Sequence, residues 1–227
     1  MKPHDPIHSA DLLKAARDFH YLLNQGYPRK PSLELVGNRH QLSFDQRHLL
    51  HRGIFSDVDA RARRKRQVSF RNLNSRNLAI DGYNVLITLD AALSTRPLIL
   101  SNDGFIRDIS GLSGDFKKTK VTEDAIHLIF GLLVKVRPAH TLFLFDSPIS
   151  KSGLLAQELR ERLESENLAG DALALKVPEK ILLGFHGIVA TSDRAVIDQS
   201  HEVFDLAGAL IKRRIRPVSL VKLNLSE

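Results

Sequence analysis

Three short apolar segments of the sequence each end in an aspartate, and these residues are the first candidates for chemistry. Asp81 ends the run LAID, Asp146 ends TLFLFD, and Asp193 ends GIVATSD. The carboxyl ends of parallel strands lie on one edge of a sheet, which is where such sheets bind ligands. If the three segments are parallel strands, three carboxylates meet on that edge.

A cluster of carboxylates is unfavourable by itself, because like charges raise each other's pKa. A divalent cation removes that repulsion, and Mg²⁺ and Mn²⁺ prefer oxygen ligands. The chain contains no cysteine, which excludes disulfides, zinc–thiolate sites and thiol catalysis. Asp81, Asp146 and Asp193 therefore predict a Mg²⁺ or Mn²⁺ site, and the chemistry that suits it is hydrolysis of a phosphate ester.

Each aspartate also has a structural interpretation, because an Asp after a strand commonly forms a turn or caps a helix. Asp198 follows Asp193 by five residues and is a further candidate ligand. Glu123 and Asp124 come directly after Thr122, a predicted helix start, where the helix dipole alone favours acids. Asp198, Glu123 and Asp124 are candidate metal ligands, although a purely structural role would also explain them.

Four other residues are of the types that such a site uses. Asp103 and Asp108 lie in the glycine-containing loop SNDGFIRDISG, with nothing in the sequence to anchor them to the site. Lys151 and Arg194 each follow a strand-end aspartate closely. Either cation could hold a phosphate or pair with a carboxylate.

The positive charge of the chain is concentrated at its beginning. Residues 1–76 carry 15 Lys and Arg against 7 Asp and Glu, whereas the rest of the chain is almost neutral. This asymmetry predicts a polyanionic partner, most simply a nucleic acid, with a merely solvated surface as the alternative. The predicted nucleic-acid-binding residues are Arg39, Arg47, Arg52, Arg61, Arg63, Arg64, Lys65, Arg66 and Arg194.

The basic region reads as mainly helical. Residues 9–25 have apolar positions at helical spacing, Ser43 is a plausible N-cap for a second helix, and 57–66 form a third. The polar stretch 67–77 is the linker candidate. We therefore predict a basic, mainly helical domain over 1–76 and a second domain over 77–227.

Apolar strands alternate with amphipathic helices in the second domain, which indicates a parallel sheet covered by helices on both faces. The predicted strands are 78–80, 97–100, 141–145, 172–177, 187–190 and 218–223, and the predicted helices are 122–136, 152–167 and 204–214. The longest apolar run has seven residues, against the ~20 that cross a membrane, so no membrane is expected.

Two motifs of this domain carry a family resemblance. IDGYNV at Ile80–Val85 and VATSDR at Val189–Arg194 flank the strand that ends at Asp146. They resemble the PIN-like nuclease superfamily, most closely its NYN branch, and the resemblance covers residues 78 to about 215. It implies an α/β fold, a parallel-sheet three-layer sandwich, and metal-dependent endonuclease activity, usually on RNA.

The resemblance also implies roles for particular residues. It makes Asp81 the ligand of the first strand, Asn84 a residue that shapes the site, and Asp193 the ligand of a late strand, while Asp146 matches by position. The fourth acid of the superfamily would be Glu123 or Asp124, although the Ser94–Lys120 insertion separates them from the first strand.

The beginning of the chain has a resemblance of its own. GYPRKPSLELVGNRHQL and RHLLHRG are similar to an uncharacterised prokaryotic family in which a small basic module precedes a PIN-like domain. That family implies no function, so the charge argument stands alone there.

The leading hypothesis is a Mg²⁺- or Mn²⁺-dependent endoribonuclease, which is a hydrolase. We expect it in the cytoplasm, because a chain without cysteine suits a reducing compartment. Its partner would be RNA, with structured RNA such as tRNA among the candidates, and a homo-oligomer is an open option. One alternative is a non-catalytic RNA-binding protein with an inactive PIN-like domain. Another is a receiver-like module with Asp146 as phosphoacceptor and Lys222 as the lysine of its last strand.

Overall fold

The chain forms two compact units in a computed structural model that describes residues 10–109, 117–216 and 218–225. The first unit comprises Met1–Lys65, Pro97–Gly111 and Ser219–Glu227, and the second comprises Arg66–Arg96 and Leu112–Val218. The predicted division at residue 76 therefore differs from the observed one. The first unit takes in two later segments because their apolar side chains complete its core.

Four helices begin the first unit: α1 (Ala10–Asn24), α2 (Arg29–Arg39), α3 (Phe44–Gly53) and α4 (Asp57–Arg66). α1 and α4 lie where they were predicted. α3 starts with the capping box of Ser43 and Gln46, as the Ser43 signal indicated. The sequence patterns do not predict α2, since it contains Pro31; a proline is tolerated there because it lies in the first turn.

A small sheet completes the first unit. It is built from β2 (Leu98–Leu100), β3 (Ile106–Asp108) and β8 (Leu220–Lys222), in the order β3-β2-β8. β2 and β8 pair in parallel, and β2 and β3 are antiparallel. Both β2 and β8 were expected in the main sheet, and that prediction is wrong. Ile99 and Val221 are instead buried with Phe19 and other side chains of α1–α3 in one apolar core.

The second unit is built on a five-stranded parallel sheet in the order β5-β4-β1-β6-β7. Its strands are β1 (Asn77–Asp81), β4 (His140–Asp146), β5 (Gly170–Leu175), β6 (Ile188–Ala190) and β7 (Glu202–Phe204). The prediction of an α/β protein with a mainly parallel sheet is confirmed. β7 was not predicted, and the helix predicted at 204–214 overlaps its last residue, Phe204.

Helices connect these strands: α5 (Gly82–Leu93), α6 (Lys120–Val136), α7 (Ser152–Ser165), α8 (Glu179–Leu183), α9 (Arg194–Gln199) and α10 (Leu206–Arg214). α6 starts earlier than predicted, because Thr119 is its N-cap and Thr122 is the third helical residue of the same capping box. A short 3-10 helix, Phe70–Leu73, lies within the predicted linker. In the part of the chain that the structure describes, no helix is long and apolar enough to cross a membrane.

Candidate active site at the carboxyl ends of the strands

Asp81 ends the central strand of the five-stranded sheet, with β4 on one side and β6 on the other. It is also the N-cap residue of α5, so the chain turns from strand to helix directly at this carboxylate. Gly82 permits the turn, because a Cβ there would lie 2.2 Å from Cε1 of Phe145. Packing against Phe145 therefore requires the glycine of the DGYN motif.

Polar side chains tie the end of β1 to the turn after β6. The Thr191 hydroxyl donates to Oδ2 of Asp81 at 2.8 Å. Oδ1 of Asn84 accepts from the Ser192 backbone N–H at 2.8 Å and from the Ser192 hydroxyl at 3.0 Å. Asn84 and Thr191 thus hold the two motifs of the sequence, DGYN and TSD, against each other.

Two neighbouring acids act on Asp81 at this edge. Burial raises the pKa of Asp81 to about 7, and the charges of Asp193 and Asp146 act in the same direction, against the hydrogen bonds from Thr191 and from the backbone of Asn84. Both like charges therefore disfavour ionisation of Asp81.

A fourth acid, Glu179, belongs to the same region and was missed by the sequence analysis. Burial raises the pKa of Asp146, and the charge of Glu179, the first residue of α8, raises it further. Tyr83 lies on this side too: burial and the charge of Asp146 raise its pKa to about 12, and its ring packs edge-on against Phe145. Glu179 follows the predicted strand 172–177 by two residues, so the strand-end argument applied to Asp81, Asp146 and Asp193 could have found it.

Asp193 also has the structural role that was considered as the alternative. Its Oδ1 accepts hydrogen bonds from the N–H groups of Ala195 at 2.8 Å and Val196 at 3.1 Å, so it caps α9. Asp198 lies further along α9 and is exposed. The cap orients the Asp193 carboxylate at the end of β6 whether or not it has a chemical role.

Glu123 and Asp124 form no part of the hydrogen-bonded arrangement around Asp81. Glu123 pairs with Lys118 at 2.5 Å, and Lys118 also contacts Glu158 of α7. Asp124 is exposed on α6. Within residues 10–109, 117–216 and 218–225, no three His, Asp or Glu side chains lie close enough to hold a metal ion as a group.

The donors at Asp81 nevertheless fit a hard divalent cation. Mg²⁺ is commonly held by one or two carboxylates, with water completing its shell, so a three-acid cage is not required. The Asp81 carboxylate is partly buried among acids, and its pKa of about 7 marks a negative charge that a cation would stabilise. Asp81 and Asp146 are the residues that would hold Mg²⁺ or Mn²⁺, with Asp193 beside them.

The predicted nucleic-acid-binding cations differ in their exposure. Arg39, Arg61, Arg64, Lys65 and Arg194 are exposed, whereas Arg47, Arg52 and Arg66 are partly buried. Arg47 donates to the Leu42 carbonyl and to Asn38, which makes it a brace between α2 and α3. Arg63 is only 2% exposed. Its burial removes it from the predicted RNA surface.

Arg63 belongs to a buried ion cluster in the first unit. Asp103 pairs with Arg107 through two hydrogen bonds of 2.8 Å and contacts Arg63 at 3.3 Å, and it accepts from the Ser101 hydroxyl at 2.7 Å. The guanidinium carbons of Arg63 and Arg107 lie 4.2 and 5.0 Å from the ring centre of Phe55. Asp103, which nothing in the sequence anchored to the metal site, therefore anchors the core of the first unit.

The lysine that the receiver-like alternative requires does not lie in the same sheet as Asp146. Lys222 lies in β8, which belongs to the three-stranded sheet, whereas Asp146 ends β4 of the five-stranded sheet. A receiver-like site needs both residues at the ends of strands of one sheet. This removes the observation on which that alternative rested.

The raised pKa of Asp81 gives a stability prediction for the metal-free protein. Its folded pKa, about 7, exceeds the unfolded value near 3.8, so ionisation penalises the folded state increasingly as pH rises to 7. Asp81→Asn should therefore stabilise the protein more at pH 8 than at pH 5, by about 2 kcal/mol. Urea unfolding in EDTA at both pH values measures the difference.

The matched control is Asp171→Asn. Asp171 lies at the amino end of β5, whereas Asp81 lies at the carboxyl end of β1 in the same sheet. The effect of Asp171→Asn on the free energy of unfolding at the same two pH values serves as the reference for an Asp→Asn change away from Asp81. An Asp81→Asn effect that is the same at pH 5 and pH 8 would contradict the raised pKa.

Comparison with known proteins places the chain among relatives whose activity has no description. Residues 70–209 match the family described as "Domain of unknown function (DUF5616)", and residues 11–66 match "Protein of unknown function (DUF434)". An uncharacterized protein of Methanocaldococcus jannaschii is 30% identical over 201 residues, covering 88% of this chain and 96% of the relative. No solved structure matches. Since the first match spans more than half of the chain, the protein belongs to the DUF5616 family, and the segment before that match is similar to DUF434.

Proposed function

We propose that this protein is a metal-dependent endoribonuclease whose active site is the edge formed by Asp81, Asp146 and Asp193. The observation that carries the proposal is the burial of Asp81 beside two like charges, which raises its pKa to about 7. Such a perturbed carboxylate at the carboxyl end of a central parallel strand is typical of functional sites. The PIN-like sandwich is part of the same proposal.

The bound Mg²⁺ or Mn²⁺ would supply an activated water and neutralise charge on the phosphate being cleaved. The chain's own residues prepare the place for it. The Thr191 hydroxyl and the Asn84 backbone hold the Asp81 carboxylate in one orientation, and the Asn84 side chain fixes the turn that carries Asp193. Glu179 adds negative charge beside Asp146, which strengthens the attraction for a cation.

The first unit would hold RNA through its exposed cations. Arg39, Arg61 and Lys65 are exposed on α2 and α4 and can contact phosphates. Contacts of this kind give affinity that falls with salt and carry little sequence information. The unit would therefore contribute general RNA affinity, and the acidic edge would perform the cleavage.

The proposal is tested by a cleavage assay on a mixed pool of small RNAs with Mg²⁺, with Mn²⁺ and with EDTA. We expect cleavage with at least one metal and none with EDTA. The control is the Asp171→Asn protein, purified identically, which should cleave as the wild type does. Absence of cleavage under both metals would overturn the nuclease proposal.

One observation favours the non-catalytic alternative. The Asp193 carboxylate is already used as the cap of α9, and a cap needs no metal. If the protein binds RNA in a salt-dependent way, yet cleaves none and is not stabilised by Mg²⁺ or Mn²⁺, it is an RNA-binding protein with an inactive site.

A further inference from the structure

A cavity of about 190 Å³ lies beside β7, the edge strand of the five-stranded sheet. One wall is the segment 67–70, which is held to β7 by the pairing of Gln67 with Val203 and by a 2.9 Å hydrogen bond from the Val68 N–H to the Val203 carbonyl. The opposite wall is α10. Both walls are thus fixed by backbone structure.

One end of the cavity is cationic and aromatic. Lys212 and Arg213, in the last turn of α10, line it and are exposed, and Arg214 follows them. The Arg213 guanidinium carbon lies 3.8 Å from the ring centre of Phe70. Nucleobases stack on aromatic rings and on guanidinium planes, and phosphates bind the cations beside them.

The rest of the lining is polar and acidic, and Asp205 precedes α10, at the helix end opposite Lys212 and Arg213. Asp205 is buried there, and its Oδ1 accepts the Gly208 N–H at 2.9 Å. Gln67 and Ser69 add an amide and a hydroxyl to the lining. Because Asp205 repels a phosphate and the Lys212 end attracts one, an elongated ligand with one anionic end has a single favourable orientation.

The volume of the cavity further restricts which ligands can bind there. Pockets for drug-sized molecules measure about 300–1,000 Å³, so this smaller, open one suits a ligand no larger than a single nucleotide. We propose that it binds one nucleotide of an RNA strand, with the base on the Arg213 guanidinium that stacks on Phe70 and the phosphate on Lys212.

The inference rests on the proposed function and deepens it, because β7 lies two strands from β1 in the sheet. At about 4.8 Å per strand, β7 lies roughly 10 Å across the sheet from β1. The cavity would hold another nucleotide of the RNA strand that is cleaved and so help to position that strand.

Binding is measured separately from cleavage, with a fluorescent single-stranded RNA oligonucleotide in EDTA. Phe70→Leu should weaken binding about tenfold, since the stacking surface is removed. The double variant Lys212→Gln, Arg213→Gln should lower the slope of log affinity against log salt by about 0.7 for each phosphate that is no longer neutralised. Lys135→Gln, an exposed lysine in the last turn of α6, is the matched control and should bind as the wild type does.

Because Phe70 is partly buried, thermal melting must show that Phe70→Leu is folded, and the double variant at the exposed Lys212 and Arg213 leaves the buried core unchanged. Wild-type binding by the double variant would overturn the proposal. If RNA binding requires these residues but no cleavage occurs, the nucleotide site stands and the nuclease proposal falls. Cleavage with unchanged RNA affinity in both variants would support the nuclease proposal and overturn the nucleotide site.

Titration with a 5′-mononucleotide, a nucleoside and inorganic phosphate identifies what the cavity recognises. We expect the mononucleotide to bind more tightly than either the nucleoside or phosphate, and Phe70→Leu to remove that advantage. Equal binding of phosphate and the mononucleotide would show a simple anion site and overturn the proposal. Binding of none of the three probes would do the same.

Discussion

Asp81→Asn is expected to reduce metal-dependent RNA cleavage by about 10³-fold. Asparagine keeps the size of the side chain and an oxygen that can accept from the Thr191 hydroxyl, so the end of β1 remains tied to the turn after β6. The substitution removes the negative charge that would hold the cation. A metal contact worth about 4 kcal/mol in the transition state corresponds to that factor. Single-turnover cleavage rates of the two proteins measure it.

Metal binding to Asp81 has a second readout that does not depend on cleavage. At pH 8 the wild-type melting temperature should rise with Mg²⁺ or Mn²⁺ concentration, because a ligand of the folded state stabilises it by mass action. Asp81→Asn should show little of this rise, and Asp171→Asn should retain it. Cleavage that survives in Asp81→Asn would mean that the site lies elsewhere or that the activity belongs to a contaminant.

The second large effect concerns stability. Asp103→Asn is expected to lower the free energy of unfolding by about 3–5 kcal/mol, because it removes the negative charge that Asp103 supplies to the buried guanidinium groups of Arg63 and Arg107. Arg63 and Asp103 are 2% and 0% exposed, so water cannot replace that interaction. Urea unfolding followed by circular dichroism at pH 7 measures the change.

The pH dependence of this effect has a defined sign. Burial acts to raise the pKa of Asp103, but the charges of Arg107 and Arg63 and the hydrogen bonds from Arg107 and Ser101 outweigh it, so its pKa is lowered. Its contribution is therefore present above its unfolded pKa and is lost as pH falls through the folded value. The difference in the free energy of unfolding between the wild type and Asp103→Asn should disappear only in strong acid.

The matched control is Glu34→Gln, an exposed acid on α2 of the same unit. A surface substitution of this kind should change stability by less than about 0.5 kcal/mol. If Asp103→Asn falls in the same range, the ion cluster does not anchor the unit.

Local patterns in the sequence predicted most elements of this protein. The helix expected at 9–25 is found at Ala10–Asn24, the strand expected at 141–145 is found at His140–Asp146, and Ser43 caps α3 as predicted. Caps, apolar periodicity and turn residues act within a few positions, so they are visible in the sequence alone. The strand-end position of Asp81 was predictable for the same reason.

Interactions between side chains that are far apart in the sequence became visible only in the tertiary structure. Arg63 lies in a basic run that indicated a surface, yet it is buried because Asp103 supplies its counter-charge from 40 residues away. Glu179 follows a predicted strand, but only the order of the strands, with β5 beside β4, brings its charge to Asp146. Burial and charge pairing depend on what the whole chain brings together, which local patterns do not record.

The sheet to which each strand belongs is the clearest example of this division. The apolar runs at β2 and β8 were recognisable as strands, but a strand's hydrogen bonds go to a partner that its own residues do not specify. They pair with each other across a long separation in the chain, as Leu98 does with Leu220. By itself the sequence determined the elements and the strand-end aspartates. Tertiary packing decided which strands pair and which charges are buried, because those free energies arise from contacts between distant segments.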